Sequence, residues 1–189
     1  ETGTITTGTT NTMTLGDGGT GITLADATTL ASGGIAAINI NGALSGASVD
    51  DNLNINSTGV TTISGEITAI GTLITNAGGT TVIDNNISSD GLQTYGNNVE
   101  IKGADRTITT TNDAVTFSGT VNSFTGQTRG LTVAAGNGLT TFTGVVGGGV
   151  GVGAIAITGA GGLDLDAAIT SAASLAVTGA TNLGAGVIT

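Results

Sequence analysis

Two carboxylates in alternate positions offer the clearest chemical option in the sequence. Asp164 and Asp166 alternate with Leu163 and Leu165, so if the leucines face a core, both carboxylates project from one outer face. Such a pair can serve in glycoside hydrolysis or bind Ca²⁺, but a solvated face is the simpler interpretation. We keep the pair as a weak calcium candidate and expect no catalytic residue.

Other chemistry lacks its usual side chains. The sequence contains no His and no Cys, which are needed for most nucleophile–base pairs and transition-metal sites. Residues 15–21 (LGDGGTG) are similar to one copy of a calcium-binding nonapeptide, which works only in tandem, so we predict a turn there. This segment and residues 147–153 lack the Lys of a phosphate loop. We expect neither an enzyme nor a cofactor.

Composition limits the fold class. Among 189 residues there are 35 Gly, 38 Thr and no Pro, and 38% are hydrophobic but only 2% aromatic. Gly and Thr are weak helix formers, and a charged fraction of 8% does not indicate disorder. The sequence predicts an all-β protein that buries small aliphatic side chains.

Charge argues against several partners. The formal net charge is -10, and the three cations Lys102, Arg106 and Arg129 are scattered in sequence. Binding to phosphate backbones requires clustered cations, so we expect no nucleic-acid partner. No run of 18 or more apolar residues is present, and we expect no membrane insertion.

Internal repeats are the strongest signal. Residues 155–163 match residues 175–183, and residues 53–67 match residues 73–87, both at an offset of twenty. Residues 131–139 form a further copy that precedes residue 155 by twenty-four, with the extra length placed in residues 147–153. A period of this length is typical of a solenoid.

Short alternating runs supply the strands of each repeat. Period-two alternation over three residues, bounded by Gly, Asn, Asp or Ser, is typical of strands; it occurs at residues 13–15, 22–24, 38–40, 53–55, 99–101, 115–117, 131–133 and 163–165. If each repeat forms one turn, about nine turns at about 4.8 Å each give a rod about 43 Å long. Residues 88–130 do not fit the twenty-residue register, and this misfit predicts longer turns there.

A narrow core and a side-chain ladder follow from this register. Stacked turns place like residues on like residues, and no aromatic is required for such a core. Asn56 and Asn76 are expected to form a ladder. The predicted core consists of Leu53, Ile55, Ile63, Leu73, Ile83, Leu131, Val133, Ile155, Ile157, Leu163, Leu175, Val177 and Leu183.

The repeats resemble the passenger regions of filamentous haemagglutinin-like and autotransporter-like bacterial surface adhesins. The resemblance rests on Thr-, Gly- and Asn-rich units and on phrases such as residues 91–95 (GLQTY), 107–111 (TITTT) and 115–121 (VTFSGTV). It implies a right-handed parallel β-helix, secretion across the outer membrane and a role in adhesion, surface layers or extracellular filaments. It assigns binding activity to no residue.

Residues 1–189 are therefore expected to form a single β-solenoid, either an excerpt of a longer repeat protein or a filament subunit. Residues 4–7 and 185–189 are strand-like, with no capping helix, so we expect axial contact with another copy or with neighbouring repeats. Surface glycans are a further expected partner. We expect a non-catalytic extracellular or cell-surface rod; the alternatives are a polysaccharide-binding or depolymerising β-helix and, because of the Thr pairs at 12/14, 107/109 and 141/143, an ice-binding solenoid.

Overall fold

The computed structural model describes residues 2–19, 21–76 and 78–184, and within them the chain forms 23 short strands joined by turns and no helix. The first strands are β1 (Thr2–Thr7), β2 (Met13–Leu15), β3 (Ile22–Leu24), β4 (Ala27–Ser32), β5 (Ile38–Ile40), β6 (Leu44–Gly46), β7 (Leu53–Asn56), β8 (Val60–Ile63), β9 (Ile67–Ile70), β10 (Leu73–Thr75), β11 (Thr80–Ile83) and β12 (Ile87–Ser89). The others are β13 (Gln93–Tyr95), β14 (Asn98–Ile101), β15 (Arg106–Thr110), β16 (Val115–Phe117), β17 (Val121–Ser123), β18 (Leu131–Gly136), β19 (Thr140–Phe142), β20 (Val152–Gly159), β21 (Leu163–Leu165), β22 (Ala172–Val177) and β23 (Thr181–Leu183).

These strands form three parallel sheets along a solenoid. Sheet A has the order β1-β4-β7-β10-β13-β16-β19-β21-β23, sheet B β2-β5-β8-β11-β14-β17, and sheet C β3-β6-β9-β12-β15-β18-β20-β22. Sheet B continues through single parallel bridges from Val121 to Val146 and from Val146 to Ile169. The described residues thus make about eight turns, with β23 opening another, which is close to the nine expected.

Each of the eight runs that alternate in the sequence lies within a strand of the solenoid. Alternation places every second side chain inside, and the pattern is visible in β21, where Leu163 and Leu165 are buried and Asp164 is not. The interior is therefore built from two or three side chains per strand. The strand-like residues 4–7 lie in β1, whereas residues 185–189 lie outside the described residues.

One aliphatic ladder follows sheet C through all its strands. Each member pairs with the equivalent residue one turn away, in the order Ile22, Leu44, Ile67, Ile87, Ile108, Val133, Ile157 and Val177. The six inner members are buried and the two outer members pack against them. Because each fully buried aliphatic side chain contributes about 1.5–3 kcal/mol, this ladder is a main source of cohesion between turns.

The register of twenty is confirmed where the sequence predicted it most clearly. Leu53 pairs with Leu73, and Ile155 pairs with Leu175. Elsewhere the turn length varies: Leu163 pairs with Thr181, while Thr2 pairs with Ala27. Residues 88–130 contain two extended corners, 102–105 and 124–130, as the misfit in register predicted.

Glycines occupy corners at which consecutive turns come into close contact. A Cβ built on Gly144 would lie only 2.1 Å from the carbonyl oxygen of Gly119, and one on Gly119 would lie 2.5 Å from that of Asn97. No side chain fits such a distance. Close backbone stacking, more than backbone conformation, therefore explains the glycines at this corner.

The core also contains aromatic side chains, which the predicted core did not include. Tyr95, Phe117 and Phe142 are fully buried and lie in register on β13, β16 and β19. Their rings stack, with centroids 5.0 Å apart in the first pair and 4.9 Å in the second. In these three turns the core therefore contains stacked rings beside its aliphatic side chains.

Candidate functional site

The carboxylate pair lies on the outer side of sheet A. Asp164 is partly exposed on β21 and Asp166 is exposed just after it, as the alternation predicted. One oxygen of Asp164 accepts a hydrogen bond from the Nδ2 of Asn182 at 2.9 Å. Within residues 2–19, 21–76 and 78–184, no three His, Cys, Asp or Glu side chains converge so that they could hold a metal ion. Asp164 thus has a documented role in a cross-turn hydrogen bond.

Two further acidic positions stabilise turns. Asp51 is buried, and its Oδ2 accepts a hydrogen bond from the backbone N–H of Ser48 at 2.6 Å. In the loop of residues 15–21, the Oδ1 of Asp17 accepts one from the N–H of Gly19 at 2.9 Å. The contact of Asp17 is a turn of the Asx type, in agreement with the turn predicted for residues 15–21; Thr20 lies outside the described residues.

The Thr pairs do not share a face. Thr14 lies on β2 of sheet B, Thr107 and Thr109 lie on β15 of sheet C, and Thr141 lies on β19 of sheet A. An array of paired hydroxyls on one flat face, the feature that the ice-binding hypothesis needs, is therefore not formed by these pairs.

The predicted core positions are placed as follows. Twelve lie fully or mostly inside: Leu53, Ile55, Ile63, Leu73, Ile83, Leu131, Val133, Ile155, Ile157 and Leu163 are buried, and Leu175 and Val177 are partly buried against them. Leu183 differs, because it is 51% exposed. It pairs with the buried Leu165, because the return to sheet A takes eighteen residues here, but β23 is the last strand of sheet A and no described strand covers its other side.

The Asn ladder is formed across two turns. The Nδ2 of Asn76 donates a hydrogen bond to the Oδ1 of Asn56 at 2.9 Å, and the Oδ1 of Asn76 accepts one from the backbone N–H of Ser57 at 2.9 Å. The ladder therefore links side chain to side chain and side chain to backbone at the corner after β7 and β10.

A polar network inside the core was not predicted. Gln93 is buried on the same strand as Tyr95, and its Oε1 accepts a hydrogen bond from the Tyr95 hydroxyl at 2.7 Å. Its Nε2 donates to the Ser89 hydroxyl at 3.0 Å and to the Thr109 carbonyl at 2.9 Å. Burial raises the pKa of the Tyr95 hydroxyl far above its ordinary value, because the charged form would lose its hydration.

The three cations, which are scattered in sequence, are brought together by the fold. Lys102 and Arg106 flank the corner between β14 and β15, and Arg129 lies near the end of the following corner, between β17 and β18. Strand β18 pairs with β15, so the two corners are stacked. We call the set Lys102, Arg106, Phe124, Gln127 and Arg129 the basic corner.

Specific contacts fix the shape of the basic corner. Asp84 pairs with Lys102 at 3.2 Å and with Arg106 at 3.0 Å. The Gln127 Oε1 accepts hydrogen bonds from the N–H of Gly103 at 2.8 Å and from the Nε of Arg129 at 3.2 Å. The sequence contains one indication of this cluster, because Arg106 and Arg129 are separated by about one turn of the solenoid.

An aromatic ring completes the basic corner. The Nζ of Lys102 lies 5.4 Å from the centroid of the Phe124 ring, a distance at which a cation is attracted to an aromatic face. Phe124 is partly exposed, unlike the three aromatic residues of the core.

Comparisons leave the family unassigned. The sequence matches no protein-family model, and searches of curated proteins and of solved structures likewise gave no match. No pocket opens on the described residues. The described part of the chain contains no helix with the length and hydropathy of a membrane span.

Proposed function

We propose that this chain is a rod segment of a bacterial surface or extracellular structure, and that its work is mechanical. The observation that carries the proposal is the ladder of sheet C, in which eight consecutive turns place an aliphatic residue on an aliphatic residue. About eight turns at about 4.8 Å each span about 38 Å. A solenoid of this kind becomes longer when turns are added, because each turn contacts only its neighbours.

The adhesin-like character rests on the repeat composition together with the solenoid fold. A parallel β-solenoid is the architecture that the resemblance to filamentous haemagglutinin-like and autotransporter-like passengers implies. We extend the proposal to a right-handed winding, secretion to the cell surface, and a non-catalytic role as a stalk, coat or matrix fibre, with surface glycans among its contacts.

Axial contact is part of the same proposal. Within the described residues, β1 pairs only with β4, and β23 pairs only with β21. The free side of a parallel strand accepts a further strand. The next turn of a longer chain or another copy of this one can supply that strand, and repetition of the contact produces an open fibre.

Immunogold electron microscopy of cells that naturally produce the protein tests the proposal. Antibodies raised against the folded chain should label fibres or a layer outside the cell envelope. Pre-immune serum is the control for background label. Label confined to the cell interior would contradict the surface role, and hydrolysis of a polysaccharide by the purified chain would contradict the non-catalytic one.

A further inference from the structure

The basic corner is exceptional on this molecule. The whole chain carries three Lys and Arg residues against thirteen Asp and Glu residues, and all three cations belong to this corner. Two of them, Lys102 and Arg106, share Asp84. Arg129 forms no ion pair with any described residue, and its Nε alone is bound, to Gln127. The outer nitrogens of its guanidinium have no partner among the described residues, although the carboxylate of Asp105 lies at the same corner, where it accepts a hydrogen bond from the N–H of Gly130 at 2.7 Å.

An acidic counterpart lies at the other side of sheet C. The corners that lead from sheet C to sheet A carry Asp90 after β12 and Asp113 after β15. Exposed leucines lie beside them, Leu92 at 38% exposure and Leu139 at 40%. We call these four residues the acidic edge. No cation lies on these corners.

The two surfaces match in chemistry and in spacing. Lys102 precedes β15, Arg106 is the first residue of β15, and Arg129 precedes β18, one turn further along; Asp90 and Asp113 are also one turn apart. Consecutive turns are about 4.8 Å apart in both rows. The partly exposed ring of Phe124 has an apolar counterpart in Leu92.

We propose that the basic corner of one copy binds the acidic edge of a second copy, so that rods associate side by side. This proposal rests on the proposed rod function and specifies its partner. Each copy carries both surfaces, so the contact is heterologous and can continue from rod to rod into a layer. Although copies repel one another through the net charge of -10, salt at physiological strength screens charges separated by more than about 8 Å, whereas ion pairs in contact persist.

Complementary charge reversals test the contact by sedimentation velocity over a protein concentration series. Arg129→Glu alters only the basic corner and Asp113→Arg only the acidic edge, so each variant alone should associate more weakly than the unaltered protein, with the Kd of the lateral contact raised about tenfold or more. In an equimolar mixture, the unaltered basic corner of Asp113→Arg can bind the unaltered acidic edge of Arg129→Glu. The mixture should therefore associate more strongly than either variant alone.

Matched controls make the outcomes decisive. Asp166→Arg changes the net charge as Asp113→Arg does, but on the outer side of sheet A, and should associate like the unaltered protein. Association of the unaltered protein should appear at about 0.15 M salt and weaken at about 1 M salt. A strictly monomeric unaltered protein, or a mixture that stays monomeric, overturns the proposal. Far-UV circular dichroism and solution scattering test the solenoid rod independently of association. Loss of the lateral contact with both measurements unchanged would therefore leave the rod function standing.

Discussion

The ring of Phe117 lies directly on the ring of Tyr95, with centroids 5.0 Å apart and planes inclined by 7°. Phe142 continues the stack from the next turn at an inclination of 15°. Parallel in-register strands force this geometry, because equivalent side chains of neighbouring turns point the same way at about the strand spacing of 4.8 Å. The three rings join three turns into one unit at the centre of the rod.

Replacing the middle ring should therefore weaken the protein strongly. Phe117→Ala removes a fully buried side chain and both stacking contacts, and we expect a loss of about 3–5 kcal/mol in the free energy of unfolding. Urea titration followed by far-UV circular dichroism measures it. Phe124→Ala is the matched control, with an expected loss of under about 1 kcal/mol from its cation–π contact. Equal losses in both variants would show that the stack has no special role.

Tyr95 makes stability depend on alkaline pH. Burial raises the pKa of its hydroxyl in the folded protein, whereas the unfolded chain titrates near the ordinary value of about 10. Above about pH 10 the folded state keeps a proton that the unfolded state has lost, so the free energy of unfolding falls by about 1.4 kcal/mol per pH unit. Below that pH the group contributes no pH dependence.

The Tyr95→Phe variant isolates this contribution, because Tyr95 is the only tyrosine in the sequence. Urea titrations of both proteins between about pH 9 and about pH 11 give the free energy of unfolding at each pH. This free energy should fall less steeply with pH in the variant, and the difference in slope should correspond to one proton. Tyrosinate absorbance in the native protein should appear only together with unfolding. Free titration of the folded protein near its ordinary pKa would contradict the burial of this hydroxyl.

The sequence predicted the solenoid because some turns repeat without change in length. Leu53 and Leu73, like Ile155 and Leu175, lie twenty positions apart and pair directly. The repeat length of twenty did not predict the aromatic stack, because Tyr95 and Phe117 are twenty-two positions apart and Phe117 and Phe142 are twenty-five positions apart. Corners vary in length without disturbing the strands. A single fixed repeat length therefore fails to align residues that pair in the structure.

The same variation explains the changed partner of Leu183 and the missed charge cluster. Leu183 was aligned with Leu163, but two fewer residues in the last corner place it over Leu165. Arg106 and Arg129 look unrelated in sequence, yet the corners that carry them are stacked. A search for like residues within a tolerance of a few positions around the turn length would have detected both relationships.

Close stacking of corners predicts which glycines are irreplaceable. A Cβ on Gly144 would lie 2.1 Å from the Gly119 carbonyl oxygen, so Gly144→Ala must displace backbone and should cost about 1–3 kcal/mol. At Gly21 an added Cβ would meet only the Ala43 carbonyl oxygen, at 3.8 Å. Gly21→Ala should therefore be neutral or stabilising by up to about 1 kcal/mol, through the unfolded chain. Thermal unfolding of the two variants compares them, and similar losses would argue against tight stacking at the Gly144 corner.

A buried hydroxyl offers a substitution that should stabilise the rod. Thr140 is fully buried between Val115 and Leu163 in neighbouring turns, and its Oγ1 has no hydrogen-bond partner among the described residues. An unsatisfied buried polar group is costly, so Thr140→Val, which keeps the branched shape, should raise the free energy of unfolding by about 1 kcal/mol. Thr141→Val, one residue along and facing outward, should change it by less than about 0.5 kcal/mol. Urea titration compares both variants with the unaltered protein, and a loss of stability in Thr140→Val would contradict an unsatisfied hydroxyl at this position.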